Sequence, residues 1–235
     1  MSYKLKDLGL IDTSYWYVNR HTVQSCVAIK EEIKEFDRRE GDGDFAVTNI
    51  CEPVLPGVYS FKLFEPEWCR RLVEEIKVID AEVGLKPNPD EDELRQIPEF
   101  VIPEHSPDLL NLMRLVIRDV ISPVNWSLFG QEELSIASVQ IAHYNPKGKK
   151  AGAWHHDGSA DFTVVVPLNT GEYVGGGTEF FGLGTVEPLE TGSALIFPST
   201  SHMHRGLAVE SGDRYLLVFW LYVRGRIPDL INNII

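Results

Sequence analysis

Two short segments set the terms for any fold this chain can adopt. One is Trp154-His155-His156-Asp157-Gly158; the other is His202-Met203-His204-Arg205-Gly206-Leu207, which runs on to Gly212-Asp213-Arg214-Tyr215. The first carries His155 and Asp157 two positions apart. In an extended strand, side chains at i and i+2 leave the same face. One strand end can therefore aim both groups at one point, while His156 faces away. The third group, His204, lies far downstream. The three meet only in a fold that brings distant strand ends together.

Two imidazoles and one carboxylate on neighbouring positions of an octahedral metal leave its opposite face open. That is the facial triad of non-haem Fe(II) oxygenases, with His155, Asp157 and His204 as candidate ligands. Zinc is the rival metal, since hydrolases bind it with the same donor types. Arg214, ten positions beyond His204, favours iron with an organic acid. Its planar fork suits a carboxylate in bidentate geometry, which a zinc hydrolase does not need here. A non-redox metal-binding module of cupin type would not need Arg214 either. His202 competes with His204, but only His204 is followed by Gly206 and the arginine at this spacing.

The segment from Tyr144 to Tyr222 resembles the iron- and 2-oxoglutarate-dependent dioxygenases of the prolyl/lysyl hydroxylase type. Their pattern His-x-Gly-x-x-Val-x-x-Gly-x-Arg-Tyr is met from His204 to Tyr215 at every fixed position. The similarity is greatest to the catalytic domain of the procollagen lysyl hydroxylases, through His155-His156-Asp157, Phe162-Thr163, Pro167-Leu168-Asn169, Gly175-Gly176-Gly177 and Gly192. It extends weakly to Val58-Tyr59, Trp68-Cys69 and Leu72-Val73-Glu74-Glu75. The resemblance implies a double-stranded β-helix (jelly-roll) core. It also implies Fe(II), 2-oxoglutarate and O2, with ascorbate admitted as an accessory. Arg214 would take the far carboxylate of 2-oxoglutarate, and Tyr144, in Tyr144-Asn145-Pro146, would donate a hydrogen bond to it. Where the lysyl hydroxylases carry a co-substrate-binding asparagine, this chain reads Val165, and Thr163 is the substitute candidate. Asp157 supplies a carboxylate where halogenases of this type carry a small residue. The implied reaction is hydroxylation of a C–H bond, most directly of a lysyl or other amino-acid side chain. A prolyl peptide or a small metabolite is the alternative substrate.

A length of 235 residues suits one sizeable domain. The formal net charge of −13 argues against binding nucleic acid phosphates. No apolar run is long enough to span a membrane, and Met1 to Lys6 lacks an apolar signal core. Cys26, Cys51 and Cys69 are too few and scattered for a disulfide framework or zinc site. Reduced thiols in a cytoplasmic setting are the expectation, unlike the collagen-directed hydroxylases of the secretory pathway. The partners expected are a small-molecule or peptide substrate.

Residues 1–57 read as an N-terminal extension packed on the core, and 58–235 as the dioxygenase domain. A one-sided helix is expected near 24–38, closed by the acidic turn Gly41-Asp42-Gly43-Asp44. Pro53 and Pro56-Gly57 read as a linker. Val58 to Phe64 alternates as a strand. Glu65-Pro66-Glu67 opens a helix with Trp68, Leu72, Val73, Ile76 and Ile79 as its apolar stripe. Residues 84–104, rich in Pro, Asp and Glu, read as a loop or lid. Ser106-Pro107-Asp108 caps a second helix bearing Leu109, Leu112, Met113, Val116, Ile117 and Val120. From Leu134 onward the pattern is of short strands: Ile136–Tyr144, Phe162–Leu168, Ser193–Phe197 and Tyr215–Val223. Helices followed by strands predict a mainly β fold with flanking helices around a jelly roll. Gly175-Gly176-Gly177 reads as a tight turn rather than a phosphate cradle. The apolar tail from Ile227 to Ile235 has two expected fates. It packs on a second copy, as the dimeric lysyl hydroxylase domains suggest, or it folds back over the chain's own N-terminal helix.

Overall fold

The computed structural model describes residues 50–87, 96–131 and 133–225. The helix expected near 24–38, the acidic turn at 41–44 and the apolar tail lie outside the described residues.

The chain builds a large sheet from seven of its strands. Its members are β1 (Glu52–Leu55), β2 (Val58–Lys62), β3 (Glu99–Val101), β4 (Leu134–Tyr144), β5 (Phe162–Pro167), β9 (Ser193–Pro198) and β12 (Arg214–Val223). They lie in the order β1-β2-β9-β5-β12-β4-β3, and every neighbouring pair is antiparallel. The remaining strands are very short: β6 (Val174–Gly175), β7 (Thr178–Phe180), β8 (Gly184–Val186), β10 (His204–Gly206) and β11 (Val209–Ser211). They form a three-stranded sheet β10-β7-β8 and a two-stranded pair β11-β6. This is the expected jelly-roll core.

Period-two alternation divides the large sheet into two faces. Val139 and Ile141 of β4, Val164 and Val166 of β5, and Leu217, Phe219 and Leu221 of β12 belong to the main apolar core. The helices cover that face. Helix α1 (Pro66–Val83) starts with proline in its first turn and buries Trp68, Cys69, Leu72, Val73, Ile76 and Ile79. After the short turn α2 (Ile102–His105), α3 (Pro107–Val116) buries Leu109, Leu112, Met113 and Val116. Ser106 caps α3 as expected, its hydroxyl accepting from the Leu109 N–H at 3.3 Å. The helical path then widens into a π segment, Ile117–Ile121, before α4 (Ser122–Phe129). Pro123 has no N–H to offer the carbonyl four residues back, and its ring crowds that carbonyl, which accounts for a widened turn just before it.

The opposite face of the large sheet looks toward the short strands. Val58, Phe180, Val186, Leu195 and Phe197 form a second apolar cluster that joins the two sheets. Ala142, Tyr144, Tyr173, Val209, Leu216 and Val218 form a third. The central strand β12 is buried on both sides, which is why its sequence is continuously apolar rather than alternating.

Two expectations need correction. The segment around Pro53 and Pro56-Gly57 is a hairpin strand of the large sheet, not a linker, because β1 pairs with β2. Gly57, at φ 73°, turns that hairpin. The stretch read as a loop over 84–104 also contains structure. Glu99–Val101 is the edge strand β3 on β4, and 102–105 is helical. Pairing to a strand some forty residues away creates β3, and no local pattern announces it.

Candidate active site

The open end of the jelly roll brings the three predicted ligands together. His155 precedes β5 and forms an isolated bridge with His204 on β10. Their backbones exchange hydrogen bonds, His155 N–H to His204 O at 3.0 Å and His204 N–H to His155 O at 2.9 Å. This pairing places the two rings 4.4 Å apart between centroids. Asp157 follows two residues later, as the spacing requires. The ligand atoms of His155, Asp157 and His204 all lie within 4.8 Å of one another.

Each ligand is oriented from behind. His155 Nδ1 lies 2.8 Å from the Ala153 carbonyl, and His204 Nδ1 lies 3.0 Å from the His202 carbonyl. A carbonyl only accepts, so Nδ1 carries the proton in each ring and Nε2 turns its lone pair toward the centre. The two Nε2 atoms lie 3.3 and 3.6 Å from the Asp157 carboxylate oxygens. Thr163 donates to the Asp157 carboxylate at 2.6 Å and is itself bonded to the fully buried Ser199 at 2.8 Å. Burial pushes the Asp157 carboxyl up, but the contacts with His155, His204 and Thr163 outweigh it and hold the group below its usual range. Burial lowers the pKa of His204 and so favours its neutral form. An anionic carboxylate and a neutral imidazole are the states in which these groups bind metal.

Behind the triad lies a cavity of about 300 Å³. Arg214 and Tyr144 face each other across β12 and β4 at its inner end. Arg214 is 3% exposed, and its Nε and one terminal nitrogen have no partner. Unpaired guanidinium N–H groups in a dry wall are costly unless an anion completes them. The guanidinium carbon stands 5.6 Å from the Tyr144 ring centre and 5.9 Å from that of Tyr173. Two sequence-remote residues fix this arrangement. Asn169 brackets Arg214, donating to the Asp213 carbonyl at 2.7 Å and accepting from the Tyr215 N–H at 3.0 Å. Gly176, at φ 79°, runs so near that an added Cβ would sit 3.2 Å from Arg214 Cδ. The glycine triplet is therefore a close-approach turn against the arginine.

The other predicted residues fall into place individually. Thr163 lines the cavity, with its hydroxyl engaged by Asp157 and Ser199. His156 is exposed at the cavity edge. His202 is turned away, its Nε2 donating to the Pro56 carbonyl at 3.0 Å. After the glycine triplet, outside the residues singled out above, Thr178 faces the cavity, whereas Glu179 pairs with Arg205 on β10 at 2.6 Å. Sequence reasoning missed Asn169, Tyr173, Ser199, Glu99 and Gln140. Only Asn169 carried a signal, as part of the stretch shared with the lysyl hydroxylases.

No family model matches the chain. Human procollagen-lysine,2-oxoglutarate 5-dioxygenase 2 is 30% identical over 181 residues, which is 74% of this chain and 24% of that protein. The chain is a homologue of the procollagen lysyl hydroxylases. It spans about a quarter of the length of the curated relatives it matches. A Burkholderia pseudomallei oxidoreductase of the 2OG-Fe(II) oxygenase family superposes with a TM-score of 0.55 at 18% identity, covering 74% of this chain and 88% of that one. A Pseudomonas putida prolyl-4-hydroxylase gives a TM-score of 0.51 at 24% identity, covering 72% and 94%. These likenesses show that the homologue has the 2OG-Fe(II) oxygenase fold, and its triad sits on β10 and on the segment that bridges it. The residues present fit the group the fold implies. Two oriented imidazoles and a carboxylate suit Fe(II), and the buried, incompletely paired Arg214 suits an anionic co-substrate.

Proposed function

We propose that this chain is an Fe(II)- and 2-oxoglutarate-dependent dioxygenase that hydroxylates a C–H bond, most directly of a lysyl or other amino-acid side chain. The observation that carries this reading is one cavity holding both the His155–Asp157–His204 cluster and the unpaired N–H groups of Arg214. His155, Asp157 and His204 would hold the iron. Arg214 would clamp the distal carboxylate of 2-oxoglutarate, with Tyr144 beside it. The iron and co-substrate supply the oxidation, which adds one oxygen atom of O2 to the substrate as 2-oxoglutarate becomes succinate and CO2. The protein's share is orientation and exclusion of water. Ala153 and His202 carbonyls fix the imidazoles, Thr163 fixes Asp157, and Asn169 fixes the backbone on either side of Arg214. Apolar walls at Val165, Leu216 and Val218 keep the arginine end dry.

Succinate release from 2-oxoglutarate with Fe(II) is the test, run with free lysine and with lysyl and prolyl peptides. A mass gain of one oxygen identifies the substrate. Absence of succinate under every condition would leave the non-redox metal-binding alternative.

Two further points belong to the proposal. A homodimer through the tail at 227–235 is supported by the apolar content of that segment; light scattering before and after its deletion decides it. A cytoplasmic setting is supported by Cys51, a buried thiol that burial pushes up to about 12. Imaging of the tagged full-length protein tests it. Among the described residues no helix is long and apolar enough to cross a membrane.

A further inference from the structure

Arg214 aims its guanidinium into the cavity, but the residues on either side of it are held from the helix side of the sheet, and one imidazole holds both. His143, on β4, stands opposite Tyr215 in the strand register. The two rings stack, with centroids 4.5 Å apart and planes 10° from parallel. His143 Nε2 lies 2.8 Å from the Asp213 carboxylate. A carboxylate only accepts, so Nε2 carries a proton and donates it. Nδ1 of the same ring lies 3.3 Å from the Asp80 carboxylate on α1. That carboxylate is itself fixed, because one of its oxygens accepts from the Leu85 N–H at 2.7 Å. His143 is 8% exposed and does not line the cavity, although its neighbours Ala142 and Tyr144 do.

The chain needs such a hold at this point. Arg214 opens β12 directly after the turn from β11. Gly212 in that turn has φ 79°, and a Cβ there would come within 2.3 Å of the Glu172 carbonyl oxygen. Asn169 secures the backbone of the turn through the Asp213 carbonyl and the Tyr215 N–H. Those bonds do not reach the Asp213 side chain. His143 fixes that side chain and the Tyr215 ring together, and so fixes the twist at which Arg214 enters the strand. Charge gives a second reason. Asp213 is an acid one residue from a guanidinium that suits an anion. Bonded to His143, its carboxylate stays on the helix side of the sheet, away from the cavity.

We propose that His143, acting through Asp213 and Tyr215, is a positioning residue for Arg214 that sets the affinity of the cavity for 2-oxoglutarate. It touches neither metal nor co-substrate. The proposal rests on the reading of this cavity as the co-substrate site, and it adds the support on which Arg214 depends.

Calorimetric titration of 2-oxoglutarate into the full chain loaded with Zn(II), which has no redox chemistry, tests it without turnover. His143→Phe keeps a ring against Tyr215 and removes the bond to Asp213. It should weaken 2-oxoglutarate binding roughly 5- to 30-fold, part of what one hydrogen bond to a charged group is worth, with Zn(II) affinity unchanged. Asp213→Ala should weaken binding similarly, although deleting an acid beside an anion site would by charge alone tighten it. The double variant should bind no more weakly than either single one, because both remove the same contact. Asp213→Asn keeps an oxygen that accepts from Nε2, so it should retain the unaltered affinity. If thermal unfolding shows that His143→Phe does not fold, the two Asp213 variants carry the test, since that side chain is 52% exposed and its loss opens no cavity. Unchanged or tighter 2-oxoglutarate binding in His143→Phe or Asp213→Ala, even with a lowered melting temperature, makes the contact merely structural and overturns the proposal. Equal weakening in Asp213→Asn and Asp213→Ala overturns it too. Absence of 2-oxoglutarate binding by the unaltered protein rejects the co-substrate site and the His143 role with it, whereas binding that the variants leave intact rejects the His143 role alone.

Discussion

On β12, Tyr215, Leu217, Phe219 and Leu221 point to the helices, while Arg214, Leu216, Val218 and Trp220 point into the cavity. The two sets alternate along one strand and share its backbone hydrogen bonds. The helix-facing set is part of a core that is apolar throughout. The cavity-facing set joins Ser138, Gln140, Tyr144 and Thr163, polar groups from the same face of β4 and β5. One sheet thus anchors the fold with one face and carries chemistry on the other. The rigidity that places Arg214 is built by neighbours one residue away that never meet the cavity. Substitutions on the two faces should therefore separate into effects on turnover and effects on stability.

The sharpest break comes from the triad. Asp157→Ala should abolish Fe(II) binding and 2-oxoglutarate turnover while shifting the denaturant midpoint less than a core truncation does, because the residue contributes ligand chemistry and polar contacts rather than packing. Normal 2-oxoglutarate decarboxylation in this variant would reject the ligand assignment. Phe219→Ala, on the other face of the sheet, should do the reverse. It should cost about 3–5 kcal/mol of stability by leaving a cavity, yet the fraction that remains folded should still bind metal. Denaturant unfolding paired with metal titration reads both, and equal damage to both properties in both variants would collapse the distinction between the faces.

Arg214→Ala is expected next. Losing a bidentate charge-assisted contact should raise the requirement for 2-oxoglutarate roughly 30- to 1000-fold, about 2–4 kcal/mol, with metal affinity nearly unchanged. Arg214→Lys should recover only part of this, because an ammonium cannot reproduce the planar fork. An unchanged co-substrate requirement in Arg214→Ala would move the carboxylate site elsewhere.

Thr163→Val sharpens the comparison on a smaller scale. It keeps the shape and removes the hydroxyl that bonds Asp157 at 2.6 Å. Loss of such an outer partner should weaken metal affinity roughly 10- to 100-fold. A metal titration with unchanged affinity would show that Asp157 needs no such support.

The smallest expected effect is on pH dependence. Burial lowers the folded pKa of His204 below its ordinary 6.5. In the metal-free protein, the unfolded chain therefore takes up a proton near that pH which the folded chain still refuses. Stability should fall as pH drops through 6.5 toward the lower folded value. Asp157 acts in the same direction at lower pH, since its folded pKa lies below the ordinary 3.8. Chemical unfolding of the metal-free protein at pH 7.5 and 5.5 should show this loss, and His204→Gln should reduce it.

How much of this was legible in the sequence depended on distance along the chain. His155 and Asp157 could be paired because strand geometry repeats every two residues. The stripe of α1 and the Ser106 cap were legible because a helix brings together residues three and four apart. The strands β4, β5, β9 and β12 were marked by β-branched and aromatic runs. The short strands β6, β7, β8, β10 and β11 were not, since two or three residues carry no period. Edge strand β3 was hidden inside an acidic stretch that read as a loop. Its identity depends on pairing with β4, and no residue within it records that partner.

The sequence by itself determined the ligand types, their local spacing and the arginine, because each follows from neighbours within a few positions. The tertiary structure alone decided that Thr163 would hold Asp157, that Asn169 would bracket Arg214, and that Glu99 would meet Gln140 inside the cavity. The last two join residues more than forty positions apart. The first spans only six, but which face of β5 turns to Asp157 is set by packing between the sheets. Such contacts come from sheet register and layer packing, which the whole fold fixes at once and which no single segment of the chain encodes.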